Sequence, residues 1–218
     1  IQGTGPGAKP RASIESSIRN VAYALLSGAD GWMFDGEDAL GQVQTMSLDN
    51  LRNLKLAFHH DPLFLTVAET VSHDMNRWAE SFLGRTIIED WKEQLNFTTK
   101  IFRPRGLHLD DRHFRDENGN GLSASIVDTT LYMSNNHQVL QKNNSSLVLY
   151  IPKIQTAEEA AFWNKLLDTL ESLLGMKPNS IIAYVLLEQV EATFQIMEIR
   201  AALGGHFAGF NTGRWDYI

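Results

Sequence analysis

Short apolar segments that end on charged or turn-forming residues alternate along this chain with longer amphipathic ones. That alternation limits the fold to parallel strands joined by crossover helices. Trp32-Met33-Phe34 runs into Asp35-Gly36-Glu37-Asp38, and Lys100-Ile101-Phe102 into Arg103. Residues 147–151 run into Pro152-Lys153, 181–187 into Glu188, and 207–210 into Asn211-Thr212-Gly213-Arg214-Trp215-Asp216.

The intervening segments carry helical spacing. Residues 13–26 put Ile14, Ile18, Val21, Ala22 and Leu25 on one face, with Gly28 as a stop. Residues 48–92 read as a helical excursion without a strand, broken at Asp61-Pro62 because proline disfavours helix in the residue before it. Glu117-Asn118-Gly119-Asn120-Gly121 signals a turn ahead of an amphipathic stretch over 126–140. Over 156–174, Thr156 and Glu159 form a capping box, Phe162, Leu166, Leu170 and Leu173 share a face expected to be core, and Gly175 suits the position just past the end. Residues 190–203 read as one further helix, and Gly3-Thr4-Gly5-Pro6-Gly7 as a loop. The fold class is therefore α/β, the class to which the expected TIM (β/α)8-type barrel belongs. A complete barrel takes about 250 residues, so about six of its eight strands are expected here, in a single domain over 1–218 with a helical insertion at about 48–92.

Charge and composition exclude several function classes. With 19 Lys+Arg against 26 Asp+Glu and a net charge of −7, no basic stripe exists to gather a phosphate backbone, so nucleic acid is not expected as a partner. The longest apolar runs fall far short of the roughly 20 residues a bilayer requires, so no membrane span is expected. The absence of cysteine excludes disulfides, thiolate nucleophiles and zinc-sulfur sites, and is compatible with a reducing, cytosol-like compartment. His59, His60 and His73 read as a solvated face, and the glycosylation-like Asn96-Phe97-Thr98 and Asn143-Asn144-Ser145 as chance matches.

Asp35, Glu37, Arg103, Lys153, Glu188 and Asp216 all follow predicted strands, and parallel strands gather those ends at one rim. Carboxylates converging from two strands suit a hard ion such as Mg²⁺, which keeps several waters and takes few protein ligands. A nearby arginine suits developing oxyanion charge. Singly, each acid reads as well as a helix cap, Arg103 as an ion-pair partner and Lys153 as support.

His206-Phe207-Ala208-Gly209-Phe210-Asn211-Thr212-Gly213-Arg214-Trp215-Asp216-Tyr217-Ile218 resembles the signature segment of malate synthases, with Phe210 in place of the family's leucine. Arg103-Pro104-Arg105-Gly106-Leu107-His108-Leu109 is similar to the family's Arg-x-Arg-Gly-x-His-Leu element, Tyr150-Ile151-Pro152-Lys153 to its Tyr-Leu-Pro-Lys strand, and Leu186-Leu187-Glu188 to its Leu-Ile-Glu strand end. The four lie in the family's order. The resemblance implies Mg²⁺ ligation by Glu188 and Asp216, and stabilisation by Arg103 of the acetyl-CoA enolate and the glyoxylate aldehyde. It further implies that backbone amides around Gly213, Arg214 and Trp215 hold the glyoxylate carboxylate. Asp35 and Glu37, in an element matching the family's Asp-Phe-Glu-Asp, would orient the metal's waters. The implied reaction condenses acetyl-CoA with glyoxylate to malate and CoA in the glyoxylate cycle. The implied location is cytoplasmic, or peroxisomal or glyoxysomal in a eukaryote. His108 and His206 lie inside these elements and read as structural.

The chain also departs from the family. The family's general base, an aspartate of a C-terminal domain, has no counterpart here, and strands seven and eight are expected beyond Ile218. Glu191 introduces an acid after Glu188, and Gly36 replaces an aromatic residue. Two other readings therefore stand beside malate synthesis. One is a CoA-thioester lyase or aldolase of the citrate lyase β type, against which the Trp-Asp-Tyr sequence argues. The other is a non-catalytic, barrel-derived binding protein.

Overall fold

The computed structural model describes residues 2–3, 13–37, 46–214 and 216; Thr4-Gly5-Pro6-Gly7, Asp38 and Trp215 lie outside the described residues. The chain divides into two compact units, Ile1–Lys100 with Gln138–Ser145, and Ile101–His137 with Ser146–Ile218.

In the first unit, β1 (Gln2–Gly3) pairs in parallel with β2 (Gly31–Asp35), so Gly3 is strand rather than loop. Between them, α1 (Ile14–Leu26) begins where the Ser13 hydroxyl accepts the Ser16 N–H at 3.2 Å. It buries Ile18, Val21, Ala22, Leu25 and Leu26, while Ile14 is half-buried. Gly28 follows at φ +75°. The excursion folds as α2 (Met46–Phe58), α3 (Pro62–Leu83) and α4 (Trp91–Phe97). The break at Asp61-Pro62 is an N-cap: the Asp61 carboxylate accepts the Leu63 N–H at 2.9 Å, and Pro62 takes the first helical position. α1 packs on α2, α3 and α4, and Arg19 pairs with Asp74 across α1 and α3 at 2.5 Å. Thr98 Oγ donates to the Ala29 carbonyl at 2.8 Å and the Thr99 N–H to the Asp30 carbonyl at 2.9 Å, tying the approach of β3 (Thr99–Arg103) to the turn before β2.

In the second unit, the residues of β3 from Ile101 onward are followed by an antiparallel hairpin, β4 (Asp110–Arg115) and β5 (Gly121–Ser123), which periodicity does not predict. The predicted turn joins its strands: the Asp116 carboxylate accepts the Asn118 and Asn120 N–H groups, and Gly119 sits at φ +83°. Then come α5 (Ala124–Lys142), β6 (Leu147–Ile151), α6 (Ala157–Leu173), β7 (Ile181–Leu187), α7 (Val190–Thr193), α8 (Ile196–Leu203), a single 3-10 turn over Gly204–His206, and β8 (Phe207–Thr212). β3, β6, β7 and β8 are neighbours in that order, all parallel. β6 is buried at every residue, as a strand covered on both faces must be.

Two details correct the sequence reading. The buried stripe of α6 is Ala160, Trp163, Leu167 and Leu170, whereas Phe162 is 43 % and Leu173 77 % exposed. Both sets have helical spacing, and the completely buried Trp163 sets the phase. The stretch 190–203 is two helices, parted at Phe194-Gln195, where the Gln195 side-chain carbonyl accepts the Ala157 N–H at 3.2 Å. α6 ends as expected, in a Schellman motif: Gly175 lies at φ +66° and the Met176 N–H reaches the Glu171 carbonyl at 2.8 Å.

The β7–β8 pairing contains one irregularity. Ala183 faces Phe207 but Tyr184 faces Gly209, so Ala208 is an extra residue, a bulge of a kind rare between parallel strands. No helix among the described residues is long and apolar enough to cross a membrane.

Candidate active site

Four parallel strands of the second unit deliver their C-terminal ends to one rim. β3 ends on Arg103, β6 leads through Pro152 to Lys153, β7 to Glu188, and β8 to Gly213, Arg214 and Asp216. Arg103 and Glu188 are buried, at 2 % and 4 % exposure, with Arg103 Nη2 3.5 Å from Glu188 Oε1. The guanidinium also lies 6.0 Å from the centre of the Tyr150 ring, over its face.

Glu188 accepts the Lys153 N–H on Oε1 at 3.0 Å, and Lys153 Nζ lies 3.6 Å from its Oε2. The same Nζ donates to Asp216 Oδ2, which also accepts from Gln189 Nε2 at 3.0 Å. Burial pushes the Glu188 carboxyl above the usual carboxylate range, against the opposing pull of the Lys153 amide and the Arg103 and Lys153 charges. Gly213 fits close beneath Glu188: its N–H donates to the Leu187 carbonyl at 2.9 Å, and a Cβ there would stand 3.1 Å from Glu188 Cβ and 3.4 Å from Oε2.

These groups fit a hard divalent cation. Two carboxylates from different strands converge on one cationic position, now shared with an ammonium, and the glycine leaves room beside it. A cavity of about 490 Å³, lined by Leu107, His108, Lys153, Gln155, Glu159 and Gln189, adjoins Lys153. The exposed His108 ring lies against Gly106, where a Cβ would come within 2.5 Å of it.

Arg105, two residues on from Arg103, is differently engaged. Its Nε and Nη2 donate to Asp128 at 2.8 and 2.7 Å, its N–H to the same carboxylate at 3.1 Å, and Nη2 to Asp111 at 2.6 Å. Burial pushes the Asp128 carboxyl up despite this pairing; Asp111 would rise by burial too, but Arg105 and the Phe114 and His113 amides bring it below its usual value. Asp111 also orders the start of β4, so the network locks loop and hairpin to α5.

Asp35 and Glu37 belong to the first unit. Both are buried just where β2 ends, and the Glu37 N–H donates to Asp35 Oδ1 at 3.0 Å. Arg214 is exposed and Trp215 lies outside the described residues.

A second cluster, Asp168, Glu171 and His206, has ligand atoms within 4.8 Å of one another. Its groups are committed to holding strand starts. The buried His206 ring bonds the Ile181 carbonyl through Nδ1 at 2.6 Å and Asp168 through Nε2 at 3.2 Å, while Glu171 accepts the Asn179 and Ile181 N–H groups at 2.8 Å. This is a structural clamp at the opposite ends of the strands.

Sequence reasoning undervalued Lys153 and passed over Gln189. The signal available for Lys153 was its place directly after a strand and a proline.

Parallel strands, crossover helices and a charged rim at the strand ends define an α/β protein of the TIM-barrel class. The family model described as "Malate synthase, TIM barrel domain" matches residues 99–218. Malate synthase of Dictyostelium discoideum is 36 % identical over 200 residues, covering 91 % of this chain and 33 % of that protein. Glyoxysomal malate synthase of Zea mays is 35 % identical over 222 residues, covering 100 % and 35 %. Malate synthase A of Escherichia coli K12 is 39 % identical over 118 residues, covering 54 % and 22 %. The chain belongs to the malate synthase family. It spans about a third of the length of its first two relatives. A crystal structure of a citrate lyase from Burkholderia xenovorans LB400 superposes with a TM-score of 0.53 at 12 % identity, covering 95 % of this chain and 48 % of that one, a likeness of fold.

Proposed function

We propose that this chain provides the metal-binding and enolate-stabilising part of a malate synthase, an acyltransferase that condenses acetyl-CoA with glyoxylate to malate and CoA in the glyoxylate cycle. The observation that supports the reading is the convergence of Glu188 and Asp216 on one cationic position, with Arg103 Nη2 3.5 Å from Glu188 Oε1. Glu188 and Asp216 would hold Mg²⁺, which when bound supplies Lewis-acid polarisation of a carbonyl oxygen. Arg103, buried and charged at all working pH, stabilises negative charge on the enolate oxygen and polarises the aldehyde. Backbone amides of Arg214 and Trp215 would receive the glyoxylate carboxylate, the Gly213 N–H being engaged by the Leu187 carbonyl. In this reading 1–218 forms one barrel domain with the insertion at about 48–92, acting in the cytoplasm or, in a eukaryote, the peroxisome or glyoxysome.

The test is Mg²⁺-dependent CoA release from acetyl-CoA and glyoxylate, for this chain and for the longest natural protein containing it, with Asp216→Ala as control. Release abolished by the substitution supports the reading. No release from either, with malyl-CoA cleaved instead, replaces it with a lyase.

A further inference from the structure

The reading above gives Lys153 no task, yet the rim is organised around it. Its backbone stands at φ +57°, a left-handed conformation that side-chain-bearing residues seldom enter and that persists only where the surroundings impose it. That conformation turns the Lys153 N–H onto Glu188 Oε1 at 3.0 Å while the side chain carries Nζ to within 3.6 Å of Oε2 and into a hydrogen bond with Asp216. One residue thus holds Glu188 by its amide and bridges both carboxylates by its ammonium.

We propose that Lys153 is a built-in counterion for the metal site: its ammonium occupies the cation position between Glu188 and Asp216 until a divalent ion displaces it, while its amide keeps Glu188 in place throughout. The proposal rests on reading those two acids as the metal ligands. A buried carboxylate, Glu188, and the exposed Asp216 brought to one position repel each other unless a cation lies between them. The ammonium supplies that cation from within the chain and so keeps the empty site folded. Its cost is competition, because an incoming ion binds only the fraction of molecules in which Nζ has left. The displaced side chain has somewhere to go, since Lys153 also lines the adjoining cavity, together with Gln155, Glu159 and Gln189. A flexible four-carbon stem permits the swing.

The experiment titrates Mn²⁺, as a stand-in for Mg²⁺, into the full chain by calorimetry, comparing the unaltered protein with Lys153→Met, Lys153→Gln and Glu188→Gln. Removing the ammonium should tighten Mn²⁺ binding about tenfold, equivalent to about 1.4 kcal/mol, and lower the melting temperature of the metal-free protein. In the unaltered chain, reductive methylation of Lys153, followed by mass spectrometry, should accelerate severalfold when Mg²⁺ is added. Equal or weaker Mn²⁺ binding by both lysine variants, or a methylation rate indifferent to Mg²⁺, overturns the counterion role while leaving the metal ligands standing. Binding unaffected by Glu188→Gln overturns the ligand assignment and the counterion role with it.

Discussion

Arg105 holds Asp128 by three hydrogen bonds, one from its own backbone amide and two from its guanidinium, with both side chains buried. Arg103, its neighbour but one, approaches Glu188 Oε1 at 3.5 Å. In the proposed function Arg105 anchors this short motif and Arg103 serves the chemistry.

Their substitutions should separate accordingly. Asp128→Ala leaves a buried guanidinium short of its main partner and should cost about 3–5 kcal/mol of stability, read from urea unfolding. Arg103→Lys retains the charge and should leave the unfolding midpoint nearly unchanged, while lowering CoA release by about a hundredfold or more through loss of the planar fork. Equal stability losses for both would refute the division.

Lys100 should give the first unit a distinctive pH dependence. Burial lowers its ammonium from 10.5 to about 8, with Nζ donating to the Asn96 carbonyl at 3.1 Å. Between those values the unfolded chain binds the proton and the folded chain has released it, so stability rises with pH across the window, by on the order of 3 kcal/mol in full. Lys100→Met removes that rise. Urea unfolding of both proteins from pH 7 to 10.5 should show the difference changing in favour of the unaltered chain as pH increases; parallel curves would dismiss the effect.

Gly213→Ala tests the closeness of the rim. The backbone is unstrained there, but a methyl would press on Glu188 Cβ at 3.1 Å and Leu186 Cδ1 at 3.2 Å. Overpacking of this kind costs about 1–3 kcal/mol, and because Glu188 is one of the two groups that must yield, Mn²⁺ affinity should fall by about tenfold. Calorimetry showing unchanged affinity would mean that Glu188 does not depend on the glycine.

The phase of α6 predicts a contrast between two leucines. Leu167 is completely buried and Leu173 is 77 % exposed. Leu167→Ala should therefore cost about 2–5 kcal/mol, and Leu173→Ala no more than about 0.5 kcal/mol. Thermal melts that rank them otherwise would restore the stripe through Phe162 and Leu173.

The parallel strands were legible because strands covered on both faces are written as unbroken apolar runs, as residues 147–151 and 181–187 are. Their charged ends could be read as a rim for the same reason. The hairpin was not legible: Asp110-Asp111-Arg112-His113-Phe114-Arg115 carries no apolar alternation, and its strand form depends on Asp111 reaching Arg105. Nor does spacing choose between two overlapping stripes on α6, since the choice lies in which one finds room for Trp163. The bridging position of Lys153 depends on a left-handed backbone, which periodicity does not encode.

Ala208 shows that position along β8 is a matter of parity as much as of identity. Because successive strand residues point to opposite faces, the one extra residue decides which face Asn211 presents at the rim, where its amide donates to the Tyr150 hydroxyl. Exchanging the exposed Ala208 for another small residue leaves that orientation alone. Deleting it would turn every later side chain over, so the number of residues between His206 and Gly213 fixes which side chains reach the rim.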